Sequence, residues 1–258
     1  MAVNKRLLQG AAAAPGGITP SEHFGVVLYE GDGSTSHSIN GGKFGAGGYF
    51  TNSSSSRIEL SSAVLPTDIF SVSFWINVSS LTDNKWILTQ YTGGAAGRFV
   101  FNYNADGGLQ INVTSSNSLT SITATPLTEN TWHHIVLIKN GSSGWEIYVD
   151  GSSIGTWSDT NNILTSQNTV FGGNQNVTTQ SIDGKLDQVR LFQNALTSSQ
   201  VSTLYAETLA TSTSLDPLSE DTTDTLQVLG DSSCIATYRF ENDETDLSGS
   251  YNGTGTAI

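Results

Sequence analysis

Two carboxylates four residues apart, Glu146 and Asp150 in "WEIYVDG", come nearer than any others to a catalytic pair. Paired acids flanking a glycosidic bond are the machinery of glycoside hydrolysis. On an extended strand these two stand too far apart, and Asp150 ends in a hairpin turn with Gly151. A surface acid and a turn acid explain them better. Other chemistries fail on spacing. His133 and His134 are adjacent on a strand, so their side chains point to opposite faces and cannot share a metal. His23 and His37 fall in an arm and an early loop. Neither the serines nor the single Cys234 sit in a Gly-x-Ser-x-Gly turn, and no zinc or phosphate-loop pattern occurs. The sequence predicts a protein that is not an enzyme.

Sugar recognition asks for less: an exposed aromatic that stacks on the apolar face of a sugar, flanked by amides or acids. Trp86, Trp145 and Trp157 are candidates, with Tyr91 and Tyr103 as companions in or near loops. Packing is the competing role for each. Trp75 alternates with Phe74 in a strand apolar on both sides and is expected in the core.

These residues must be positioned by short strands. Of the 258 residues, 36% are hydrophobic and only 13% charged, in a background rich in Gly, Ser, Thr and Asn. That mixture suits many strands joined by tight turns. The expected strands are "FSVSFWINV" (70–78), "KWILTQ" (85–90), "RFVFNYN" (98–104), "LQINV" (109–113), "HHIVLIK" (133–139), "WEIYVDG" (145–151), "NTVFGG" (168–173) and "KLDQVRLF" (185–192). Val72, Phe74, Ile76 and Val78 share one face, as do Phe99, Phe101 and Tyr103. Turn signals such as "DGG" at 106–108 and "NGSSG" at 140–144 separate them. The fold class is all-β: a two-sheet antiparallel jelly-roll sandwich with extended N- and C-terminal segments. One short helix is expected from "NALTSSQVSTLYAET", where Thr197 and Gln200 make a capping box and Val201, Leu204 and Tyr205 share a face.

Four segments follow: an extended arm over 1–23, the sandwich over 24–208, a Ser/Thr/Asp-rich linker over 209–232 and a strand-like tail over 233–258. The formal charge is −13, from 23 acids against 10 bases, and it repels nucleic acid and anionic lipid. From Glu207 to Asp246 the acids meet a single base, Arg239. With one cysteine there is no internal disulfide, and "GAAAAPGGI" is too short and broken for a signal peptide or a membrane span. A soluble protein made in a reducing cytoplasm is expected.

Three pieces in order, "GGKFGAGGYF" with "RIEL", "NTWHHIVLIKNGSSGWEIYVDG" and "IDGKLDQVRLFQNALTSSQVSTLY", resemble the laminin-G-like jelly rolls of the concanavalin A-like lectin/glucanase superfamily, across residues 25 to 208. The resemblance implies a lectin-like module and, in some relatives, calcium on an outer face. Asp187, in an otherwise apolar strand, is the equivalent acid, with Asp183 and Asp32 as weaker calcium candidates. A carboxylate capping backbone amides is the competing role for Asp187. The Glu-x-Asp-x-Glu triplet of the superfamily's glucanases is missing.

The tail "CIATYRFENDETDLSGSYNGT" resembles the first strand and turn with which modules of this family begin. It is read as a relic of a second module, as an edge strand of its own sandwich, or as a strand given to a neighbouring subunit. A paired tail is expected, with the choice between self and neighbour open. The stretch from Met1 to Ser34 resembles leaders of structural proteins of marine tailed bacteriophages. That resemblance implies a virion component (head decoration, appendage or tail fibre), made in the host cytoplasm, with other virion proteins, further copies of itself and a host glycan as partners. Assembly would fall to the chain ends, through Lys5, Arg6, Leu7, Leu8, Ile235, Tyr238 and Phe240. A carbohydrate-binding lectin, with or without calcium, is the alternative and is compatible with display on a particle.

Overall fold

A computed structural model describes residues 35–38, 42–44, 47–50, 56–90, 98–113, 120–122, 127–159, 161–163, 165–174, 179–207, 229, 231–238, 240 and 245–256. The arm over 1–23, with Lys5, Arg6, Leu7 and Leu8, lies outside these residues, as do Asp32, Tyr91 and nearly all of the 209–232 linker.

The described strands are β1 (Thr35–Ser38), β2 (Gly47–Phe50), β3 (Arg57–Leu60), β4 (Ile69–Val78), β5 (Lys85–Gln90), β6 (Phe99–Tyr103), β7 (Leu109–Asn112), β8 (Thr120–Ile122), β9 (Trp132–Asn140), β10 (Trp145–Val149), β11 (Ser152–Trp157), β12 (Thr169–Phe171), β13 (Gly184–Phe192), β14 (Cys234–Tyr238) and β15 (Gly253–Thr256). One helix, α1 (Ser198–Tyr205), follows β13. The first sheet runs β1-β2-β13-β4-β9-β10-β11, with β14 also on β13; the second runs β15-β3-β12-β5-β6-β7-β8. Neighbouring strands pair antiparallel. Among the described residues, the expected all-β sandwich forms with one short α-helix.

Period-2 alternation builds the core. Val72, Phe74, Ile76 and Val78 of β4, with Ile135 and Leu137 of β9, face Phe99, Phe101 and Tyr103 of β6, Leu109 and Ile111 of β7 and Phe171 of β12. Each large apolar side chain so buried contributes about 1.5–3 kcal/mol. At the β10–β11 hairpin, Asp150 and Gly151 take φ of 50° and 77°, the left-handed pair that a two-residue hairpin turn requires. Central strands of the first sheet are apolar on both faces because α1 covers the outer one. Val201 and Leu204 of α1 close a second core with Val136, Ile138, Tyr148, Phe192 and Cys234. The capping box forms as expected: Gln200 N donates to Thr197 Oγ1, while Thr197 N donates to Gln200 Oε1. Tyr205 departs from its expected packed position. It stays 41% exposed and lays its ring on Trp75, 5.9 Å away. Past the helix, Glu207 Oε2 accepts from Arg190 Nη1 at 2.7 Å, both side chains buried, which ties the helix exit to β13.

The tail pairs with its own sandwich, which answers the question the sequence leaves open. β13 is flanked on one side by β4 and shares its other side between two strands. β2 takes Gly184–Leu186, and β14 takes Val189–Phe192. At the changeover Gln188 has φ of 48°, and the buried Asp187 carboxylate accepts from Phe44 N (2.8 Å) and Gln188 N (2.7 Å). The tail then crosses to the second sheet, where β15 pairs with β3. Asp246 organises the crossing, accepting from Thr237 N at 2.9 Å and from Ser248 Oγ. Tyr238 Oη donates to the Tyr251 carbonyl at 2.6 Å. Tyr238 and Phe240 are sealed in the main core, with Ile235 packed against it. Tyr238 and Phe240 therefore serve this chain's own fold and are not free to grip a neighbour, a correction to the assembly role expected of them, while Ile235 stays partly exposed.

Candidate functional site

The outer face of the second sheet carries a polar array at the positions that alternate with the core. Trp86 of β5, Asn102 of β6 and Gln110 of β7 lie opposite one another in register; Val170, Thr89, Val100 and Asn112 form the adjacent row. Trp86 reaches this face through a β-bulge. Lys85 pairs with Tyr103 and Trp86 with Asn102, but the next pair is Leu88 with Phe101, so Ile87 is the extra residue and falls into the core. A bulge re-aims the side chains around it. The bulge is supported from the opposite side, where Trp86 N donates to the Gln180 carbonyl at 2.9 Å and Gly172 N to the Ile87 carbonyl at 2.8 Å.

The amides have unused capacity. Asn102 Nδ2 donates to Gln110 Oε1 at 2.8 Å and, at 3.4 Å, to the Tyr103 carbonyl. Its Oδ1 accepts nothing, and neither does Oδ1 of Asn112. Both oxygens are shut off from solvent in residues only 3% and 6% exposed. A buried polar atom without a partner costs about 1–3 kcal/mol. Of the residues in these two rows, with Glu59 opposite Val170, Trp86 and Glu59 are the ones partly open to solvent. At the β3 end of this face the charge is balanced: Glu59 accepts from Asn168 Nδ2 at 2.9 Å and lies 3.7 Å from Arg57 Nε.

The other aromatic candidates do not join Trp86. Trp145 is in the core, stacked on Phe99 at 5.5 Å and edge-on to Phe70 at 5.7 Å. Tyr103 is fully buried in the row with Phe99 and Phe101, and that burial pushes its phenol pKa up. Trp157, opposite Trp145 in the β10–β11 ladder, packs against the core at the edge of the first sheet. A ring in the core cannot stack on a sugar, so Tyr103 and Trp145 are corrected to packing roles, and Trp157 stands apart from the amide face. Sequence reasoning missed Asn102, Gln110 and Asn112. Their signal was the polar residue alternating with Phe101 and Tyr103 and with Leu109 and Ile111.

The calcium candidates separate too. Both oxygens of Asp187 are committed to backbone amides, the competing role expected for it. Asp183 lies in the turn before β13, where its carbonyl accepts from Ser79 N at 2.7 Å. Among the described residues no three of His, Cys, Asp or Glu gather to hold a metal. The near-catalytic pair is equally occupied. Glu146 accepts from Ser153 Oγ at 2.6 Å, while Asp150 accepts from His134 N and bonds His133 Nδ1, each at 2.8 Å. Burial alone would raise the Asp150 pKa, but these bonds outweigh it and hold the carboxyl below its ordinary value.

The model of the Concanavalin A-like lectin/glucanases superfamily matches residues 52–202, more than half of the chain. The chain belongs to this superfamily. Its fold agrees with solved structures of the same architecture at low identity. A heptameric SAP-like pentraxin from Limulus polyphemus aligns at TM-score 0.53 and 21% identity, over 61% of this chain and 79% of that one. Domain 4 of a GH43 extracellular arabinanase from Geobacillus stearothermophilus, in complex with arabinotriose, aligns at 0.55 and 18%, over 68% and 82%. The binding domain of Paraclostridial Mosquitocidal Protein 1 aligns at 0.52 and 20%, over 69% and 47%. No curated protein matches the chain. The outer face of the second sheet around Trp86 is the candidate site.

Proposed function

We propose that the protein is a non-catalytic carbohydrate-binding module whose glycan lies on the outer face of the second sheet, against Trp86. One observation carries this: the partly exposed Trp86 indole stands in register with the amides of Asn102 and Gln110 on one face of the second sheet. An aromatic plane with convergent amides is the pairing that sugars require, a stacking surface plus fixed acceptors. The arabinotriose complex of the arabinanase domain adds fold-level support for a sugar ligand. A glycan array with wild type, Trp86→Ala and a Trp157→Ala control tests it. Wild type and Trp157→Ala should bind the same glycans, and Trp86→Ala should lose them. If wild type captures no sugar, the proposal fails.

The resemblance of residues 1–34 to bacteriophage leaders supports a finer reading, in which a virion displays this module. With the tail spent on the chain's own sheets, anchoring to other virion proteins falls to residues 1–23, including Lys5, Arg6, Leu7 and Leu8. Mass spectrometry of purified particles should detect the chain. Deletion of 1–23 should leave the sandwich folded and abolish incorporation; incorporation without the arm would refute this anchoring.

A further inference from the structure

We propose that the open end of the first sheet's outer face is a second binding surface, built for an acidic oligosaccharide and independent of the Trp86 face. Helix α1 covers part of this outer face, over Val136, Ile138, Tyr148 and Phe192. Beyond it a cross-strand row runs through Tyr49 of β2, Lys185 of β13, Asn77 of β4 and Trp132 of β9, each directly opposite the next. Their chain neighbours Phe50, Leu186, Ile76 and Val78 lie in the core, so the row faces outward. All four are partly open to solvent, and neither Tyr49 nor Trp132 belongs to either core. Trp75, two residues before Asn77 on the same face, has the Lys43 ammonium 4.2 Å from its ring centre and the exposed Tyr205 ring stacked at 5.9 Å.

Charge decides the ligand class. Among the described basic side chains, Arg57 is paired with Glu59 and Arg190 with Glu207. Lys85 Nζ donates to the Thr179 carbonyl, Lys139 Nζ to the Gly141 and Asp159 carbonyls, and Arg98 is buried among its neighbours. Lys43 and Lys185 remain. Neither forms an ion pair with a described residue, and both stand on this one face of a chain whose net charge is −13. The nearby acids are occupied: Asp187 is buried and committed to two backbone amides, and Asp183 lies beside the Tyr103 phenol. Two unpaired ammoniums would attract any anion, and the aromatics narrow the class. Tyr49 and Trp132 stand three strand spacings apart, about 14 Å, and flank Lys185 and Asn77. An extended sugar chain can rest apolar ring faces on both, present carboxylate or sulfate groups to the two lysines and share hydroxyls with the Asn77 amide. An acidic peptide would satisfy the lysines and leave the two rings without a flat partner.

The test is calorimetric titration of the full chain with oligogalacturonides, sulfated oligosaccharides of matching length and poly-glutamate. Each is measured in low and high salt, with circular dichroism to confirm that every variant folds. Acidic oligosaccharides should bind with an affinity that falls as salt rises, and the tighter of the two sets identifies the anionic group as carboxylate or sulfate. Replacing both lysines, Lys43→Gln with Lys185→Gln, should weaken binding about tenfold or more. Trp132→Ala should weaken it about tenfold, whereas Lys185→Arg should hold it. Absence of binding by both acidic sets would overturn the proposal, as would binding indifferent to the double lysine variant. Equal affinity for poly-glutamate, unchanged in Trp132→Ala, would overturn it in favour of an acidic peptide. Loss of acidic oligosaccharides in Trp86→Ala, with the double lysine variant unaffected, would overturn this surface and leave the Trp86 reading standing.

Discussion

Acid should destabilise this protein through His134 before its carboxylates matter. The imidazole stands on β9 directly across from Trp75 of β4, buried, with Nε2 2.9 Å from Ser73 Oγ. The Trp75 ring is 5.0 Å away, and Tyr205 stacks over it at 5.9 Å. Burial first, and then the Arg190 guanidinium, push its pKa down to about 3, with Asp150 opposing in part. The unfolded chain keeps an ordinary histidine near 6.5. The unfolded state therefore takes up a proton that the folded state refuses. Stability from the neutral, buried ring is complete above about pH 6.5 and drains away as pH falls toward 3. The slope is about 1.4 kcal/mol per pH unit, so roughly 2.5 kcal/mol should be lost between about pH 6.5 and about pH 4.5. That is a large part of the roughly 5–15 kcal/mol that holds a domain folded. The Asp150 carboxyl, held below its ordinary value of 3.8, withdraws its own contribution only at lower pH. Urea unfolding of wild type and His134→Gln across that interval is the assay. The glutamine amide can still meet Ser73 Oγ and cannot titrate, and all other groups cancel in the difference. The stability difference should change by roughly 2.5 kcal/mol over the interval. A difference that stays constant with pH, or an NMR titration of His134 near its ordinary value, would refute the reasoning.

Other expectations follow from the same contacts. Phe240→Ala, which empties a buried site in the tail, should cost about 3–5 kcal/mol in denaturant unfolding, and a cost under about 1 kcal/mol would show that the tail is not part of the core. Asp187→Ala should cost about 1–3 kcal/mol because two backbone N–H groups lose their acceptor; equal losses with calcium and with a chelator would agree with a capping role, and a loss seen only with calcium would contradict it. Glu207→Gln leaves Arg190 buried against a neutral partner and should cost about 3–5 kcal/mol, whereas replacing both residues by Met and Leu should recover most of it, as thermal melts would show.

Side-chain pattern along the sequence determined much of this protein. Alternation of Val72, Phe74, Ile76 and Val78 was enough to place β4, and the same rule had already set Tyr103 among core residues beside Phe99 and Phe101. Thr197 and Gln200 announced the start of α1 because capping is a local contact between residues three apart. A carboxylate in the apolar stretch around Asp187 signalled a buried partner, and the amides of Phe44 and Gln188 supply it. The short strands "TSHS", "TSI", "SSIGTW" and "GTGT" gave no such warning, being poor in large apolar side chains.

Tertiary structure alone decided which strands meet. Every backbone offers the same N–H and C=O groups, so a ladder carries no record of its partner in the residues that form it. Nothing local says that β14 takes half of the β13 edge while β2 takes the other half, or that β15 crosses to β3. The candidate site depends on that same non-local register. Asn102, Gln110 and Asn112 are ordinary polar alternations along two strands, and a one-residue bulge after Trp86 is what sets an indole on their face.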